Sequence, residues 1–110
     1  MIKTTTGVSI TDKLIYNYFD SLVNSFFKIL PMREDNEATL PIYIRSLQIE
    51  LLGYKELIYG LNNNPKLLTL IAILQYLYDN PHCSVKDVKR EVFKAIGICN
   101  KLKNNYAKVV

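Results

Sequence analysis

The chain has 110 residues, of which 49% are hydrophobic and 22% charged, and it carries a net charge of +4. That is enough sequence for one domain of ordinary globular composition, which excludes a wholly disordered chain. No apolar run approaches the roughly 18 residues of a membrane span, and residues 1–6 hold no apolar core of signal-peptide length. The expectation is a cytoplasmic protein whose two cysteines are reduced thiols rather than a disulfide.

Charge is unevenly spread. Residues 1–81 hold seven Lys/Arg against eight Asp/Glu, whereas residues 82–110 hold seven against two. The basic excess therefore belongs to the last segment. It is either an acidic-partner or nucleic-acid surface or simply a solvated face.

Residues 1–8 are Thr-rich and without pattern, and read as a loose arm. Ser9 followed by Asp12 fits a capping signal, with Thr11 as the rival cap. Ile15, Phe19, Leu22, Phe26 and Ile29 then recur at three- and four-residue intervals, the spacing of a buried helix stripe. Leu14, Tyr18, Val23, Phe27 and Leu30 widen it. Pro31 has no N–H to continue the ladder, so the spacing predicts a first helix over about 10–30 followed by a polar loop over 31–38. The second helix opens at Thr39 or Leu40, with Pro41 in its first turn. Leu40, Ile44, Leu47, Leu51, Tyr54, Ile58 and Leu61 form the most regular stripe, which predicts a helix over about 40–61. Asn62-Asn63-Asn64 breaks it.

Asn64-Pro65 is a start signal, a cap followed by proline at the first helical position. Leu67, Leu70, Ile71, Leu74, Leu77 and Tyr78 predict a third helix over about 65–79, ended by Asn80-Pro81. Ser84, with Asp87 three residues on, opens a fourth over about 84–104. Its stripe is Val85, Val88, Val92, Ala95, Cys99, Leu102 and Tyr106. The fold expected is all-α: a single domain over 1–110, an antiparallel up-down-up-down four-helix bundle. A three-helix core with the remaining helix docked elsewhere is the alternative.

Candidate chemistry is sparse. His82, Cys83 and Cys99 are the only soft ligands, with the cysteines sixteen positions apart and no fourth partner, whereas a structural zinc site uses four ligands in close pairs. Glu34, Asp35 and Glu37 lack the alternating ligands and central glycine of a calcium loop. The glycines are too scattered for a phosphate loop, and no nucleophile elbow or Walker sequence is present. The reading is a protein that is not an enzyme and uses no cofactor or metal.

Two surfaces carry hypotheses. On the second helix, Ile42 and Ile49 project opposite the core stripe, with Gly53 beside them and Leu52 partway round. An apolar second face with a glycine suits a protein–protein contact, self-association first, unless the helix is central and packs its own neighbours on both sides. On the fourth helix, Lys86, Arg90, Lys94, Lys101 and Lys108 lie within about 80° of one another, with Gly97 in the same arc. Such a line of cations could track a phosphate backbone. It has no aromatic residue interleaved by this reading, and a solvated lysine face explains it more simply.

The order of elements carries two resemblances. An apolar helix ending in Leu30-Pro31-Met32-Arg33-Glu34, a long helix from Leu40, a leucine-rich third helix and a basic fourth resemble small four-helix accessory proteins. These are the ribosomal-RNA intervening-sequence proteins and the accessory variability proteins of diversity-generating retroelements. The second of these implies ring-like oligomers with basic surfaces that bind nucleic acid and a reverse transcriptase. Here the basic charge departs from that pattern, being confined to one helix. Residues 18–31 and Val88-Lys89-Arg90-Glu91-Val92-Phe93-Lys94-Ala95-Ile96 also resemble small prophage-borne proteins of unknown function, which implies a phage or mobile-element setting. Together these give a non-enzymatic interaction protein that self-associates or docks on a protein partner, a host-defence component being one instance. The alternative is a nucleic-acid-binding accessory protein using the fourth helix.

Overall fold

Helix formation begins where the sequence first offers a carboxylate to the free N–H groups of a first turn, at Asp12. The computed structural model describes residues 2–3, 9–10, 12–57, 61 and 63–106. Among them are a two-residue antiparallel ladder, β1 (Ile2–Lys3) with β2 (Ser9–Ile10), and five helices. The helices are α1 (Asp12–Phe27), α2 (Ile29–Glu34), α3 (Leu40–Leu57), α4 (Pro65–Asp79) and α5 (Val85–Asn105). The arm expected to be patternless thus holds a strand, Ser9 is in β2 rather than capping a helix, and Thr11 lies outside the described residues.

The largest departure is at Pro31. The first helix was expected to run to the residue before the proline; instead it ends at Phe27 and restarts as α2 with Pro31 inside the first turn. The reason is local. The proline ring collides with the carbonyl four residues earlier, which is that of Phe27, and offers it no N–H. Breaking there and restarting puts the proline where a missing N–H costs nothing.

Residues 31–34, read as loop, are therefore helical. Asn36 ends α2 in the left-handed region, with φ 52°. Its N–H donates to the Arg33 carbonyl at 3.1 Å and the Glu37 N–H to the Met32 carbonyl at 3.0 Å, the paired bonds of a Schellman C-cap. The other start signals act as the sequence suggests. The Asn64 side chain accepts from the Lys66 and Leu67 N–H groups, and Ser84 Oγ accepts from the Asp87 N–H at 3.1 Å.

The buried stripe of α1 and α2 is Ile15, Phe19, Leu22, Phe26 and Ile29. α3 buries Ile44, Leu47 and Leu51, with Leu61 beyond it; Ile58 lies outside the described residues. α4 buries Leu67, Leu70, Ile73, Leu74 and Leu77, and α5 buries Val88, Val92, Ala95, Ile96, Cys99 and Leu102. Full burial stabilises by roughly 1.5–3 kcal/mol for each large apolar side chain. Expected core positions are corrected: Leu14, Phe27 and Val85 are exposed, while Tyr18, Val23, Leu30, Leu40, Tyr54, Ile71, Tyr78 and Tyr106 are only half-buried against the core. Ile73 and Ile96 take core places the stripes omitted. α1 packs on α5, α3 on α4, and α4 on α5, with α2 closing against α5. The architecture is all-α and its packing is compatible with a helical bundle. No helix among the described residues is long and apolar enough to cross a membrane.

Candidate functional site

Three regions of this framework could meet another molecule. The first is the outer face of α3. Ile42 is 68% and Ile49 61% exposed, with Leu52 exposed beside them. A Cβ built on Gly53 meets no atom within 4 Å. Nothing inside the described chain covers this face, so the reading in which the helix packs its own neighbours on both sides does not hold at these residues. A mid-helix glycine costs about 1 kcal/mol relative to alanine. No internal contact requires one here.

The second region is α5. Lys86, Arg90, Lys94 and Lys101 are exposed; Lys108 lies outside the described residues. Arg90 is engaged, at 3.0 Å from Asp87 and 4.0 Å from Glu91. Lys86, Lys94 and Lys101 make no ion pair among the described residues. The reading that no aromatic accompanies these cations is corrected. Phe93 is 46% exposed, meets exposed Phe27 edge-to-face at 5.9 Å, and has Lys89 Nζ 6.0 Å from its ring. The signal was present in the spacing, since Phe93 falls about 20° from Lys86 on a 3.6-residue helix.

The third region was not foreseen. At the end of the molecule where α2, the start of α3, the end of α4 and the start of α5 converge lies a cavity of about 260 Å³. Ile29, Ile44, Leu77 and Val88 give it an apolar lining, and Arg33, Asn36, Glu37 and His82 add polar groups. The Schellman turn places Arg33. Its Nη1 donates to Asn36 Oδ1 at 2.9 Å and its Nη2 to the Cys83 carbonyl at 2.9 Å, while its Nε–H is buried without an acceptor. The only sequence signal was Asn36 itself, a residue that tolerates left-handed geometry.

Polar groups elsewhere have structural roles. Gln48, buried between α3 and α4, accepts from Arg45 Nη1 and donates to the Ile71 carbonyl at 3.3 Å and to Gln75 Oε1 at 2.8 Å. Arg45 also lies over the Tyr78 ring at 3.9 Å. Burial pushes the Cys99 thiol up to about 12. Burial first, and Asp87 second, raise Cys83 as well, against the opposing charge of Arg33. Neither thiol is thus tuned toward the thiolate a nucleophile needs. Burial, reinforced by Glu50, raises the Tyr18 phenol too. Glu34, Asp35 and Glu37 are exposed. No group of three or more His, Cys, Asp or Glu among the described residues is placed to hold a metal. Comparison of the chain with family models, curated proteins and solved structures finds no match.

Proposed function

We propose that this is a non-enzymatic interaction protein of the cytoplasm that self-associates through the outer face of α3. The observation that carries the reading is the exposure of Ile42 and Ile49 around a glycine no internal contact explains. A second copy is the partner favoured because the face is self-complementary. A two-fold axis between Ser46 and Ile49 would set Ile42 of one copy against Gly53 of the other, large against small, and repeat the match. From Ile42 to Gly53 the face spans only about 16 Å of helix, so the dimer is small and concentration-dependent.

The fold behind this surface is read as an antiparallel up-down-up-down bundle. Support comes from side-chain pairs whose residue numbers run in opposite directions. Between α1 and α5, Asp20 meets Lys103 and Phe27 meets Phe93. Between α1 and α3, Tyr18 stacks on Tyr54 while Tyr43 reaches the Ser25 carbonyl. Between α3 and α4, Arg45 meets Tyr78 and Gln48 meets the Ile71 carbonyl. The phage or mobile-element setting rests on the resemblance of residues 18–31 and 88–96 alone.

Light scattering on size exclusion across a hundredfold range of concentration tests self-association. The expected result is a mass rising toward twice 12.7 kDa, held in high salt and lost in Ile49→Lys. A mass that stays monomeric throughout, or an Ile49→Lys variant that dimerises like the parent, refutes the reading.

The second reading, a nucleic-acid-binding accessory protein, is favoured by Lys86, Lys94 and Lys101 beside exposed Phe93, cations for phosphates and a ring for base stacking. It requires binding of single-stranded DNA that weakens with salt and is lost in a Lys94→Glu, Lys101→Glu double variant but not in Ile49→Lys.

A further inference from the structure

We propose that the corner cavity is a binding site for a small organic monocarboxylate with a compact apolar body, its carboxylate held by Arg33. The volume, about 260 Å³, is that of roughly nine liquid waters and suits a ligand of about ten heavy atoms. Arg33 is half-buried, and it uses two of its N–H donors on neutral acceptors, Asn36 Oδ1 and the Cys83 carbonyl. A guanidinium has five such donors. The Nε–H is buried and unpartnered, and no carboxylate among the described residues pairs with this charge. A half-buried charge with no counter-charge gains from an anion, and a planar guanidinium is the group best shaped to meet a carboxylate.

The surroundings favour the same ligand. Leu40 and Pro41, at the positive end of α3, and Val88, in the first turn of α5, line the cavity. At the end of α4 the Asn80 N–H and Nδ2 both donate to the Tyr76 carbonyl, so neither donor is turned to the cavity. Ile29, Ile44, Leu77 and Val88 are buried and offer an apolar bed that an inorganic anion cannot use. Glu37, exposed at the rim, sets a like charge against dianions and so selects a single carboxylate over a phosphate.

The test titrates the full chain with 4-methylpentanoate, followed by heteronuclear NMR and by the shift in unfolding temperature. Expected are saturable changes at Arg33, Ile44 and Val88, at least tenfold weaker binding of 4-methylpentan-1-ol, and no displacement by equimolar inorganic phosphate. Arg33→Gln should weaken binding of the acid at least tenfold while leaving the alcohol unchanged. Because Arg33 also holds the Cys83 carbonyl, Ala38→Trp supplies a second test: Ala38 is an exposed residue of the cavity wall, so filling it should abolish binding without altering the fold. Equal binding of acid and alcohol, undiminished binding in Ala38→Trp, or no saturable binding at millimolar acid would each overturn the proposal.

Discussion

Cys99 and Tyr18 show how burial turns ordinary side chains into a pH limit on the fold. Both titrate higher in the folded chain than in the unfolded one, where the thiol and phenol have values of 9.0 and 10.0. The folded state therefore prefers their neutral forms. That contribution to stability is fully present below the unfolded values and is lost as pH climbs through the folded ones. Tyr43, Tyr54 and Tyr106 are raised too, mainly by burial, and add in the same direction. Unfolding temperature is expected to be level from pH 7 to about 8.5 and to fall steeply toward pH 11. A Cys99→Ala, Tyr18→Phe double variant should flatten that fall, and equal slopes in parent and variant would exclude these two groups as its source. At this scale the sequence was informative about Cys99, which lies on a core stripe. It was silent about Arg33, because a run of polar residues after a proline reads as loop until the φ of Asn36 is known.

Helices are the scale at which the sequence was most legible. Three- and four-residue spacing located the buried faces because a helix has to turn one side inward. The failures have a common cause. Leu14, Phe27 and Val85 stand about 60–100° round their helices from buried Ile15, Phe26 and Val88, which puts them outside the covered arc. Ile73 went unnoticed because α4 packs against both α3 and α5, so its inward arc is wider than one stripe. The two open helix glycines separate backbone effects from surface effects. Gly97→Ala should stabilise the chain by about 1 kcal/mol, since the new methyl meets no atom within 4 Å. Gly53→Ala should raise the unfolding temperature of the dilute chain similarly, yet weaken self-association by crowding the α3 face. Calorimetry at low concentration and light scattering at high concentration check the two effects, and a Gly53→Ala chain that dimerises more tightly counts against that face.

Across the whole molecule, periodicity says which side of a helix is buried but not which helix it meets. The seam between α3 and α4 carries information that hydrophobic pattern cannot. Gln48 has its amide fully committed, to Arg45, Gln75 and the Ile71 carbonyl, and those partners occur at one register only. Gln48→Ala removes the shared partner and leaves polar groups buried. It should lower stability by about 1–3 kcal/mol, measured by urea unfolding. A loss no larger than that of an exposed substitution would mean that water replaces the amide. The outer face of α3 and the cationic side of α5 were legible in the sequence, and the corner cavity was not. The first two lie on single helices, whereas the cavity is assembled from segments fifty residues apart.

The break at Pro31 has a further consequence, in the order in which the molecule comes apart. α2 has six residues, too few to be helical alone, so its shape is borrowed from what it touches. Arg33 ties it by a side-chain hydrogen bond to the Cys83 carbonyl, fifty residues along the chain. α2 leans mainly on α5, and this corner can open while the long helices stay packed. Amide hydrogens of α2 should therefore exchange sooner than those around Val92 and Cys99, and by partial opening rather than global unfolding. The end of the molecule that holds the cavity would then be its least stable part, a door hung on one proline.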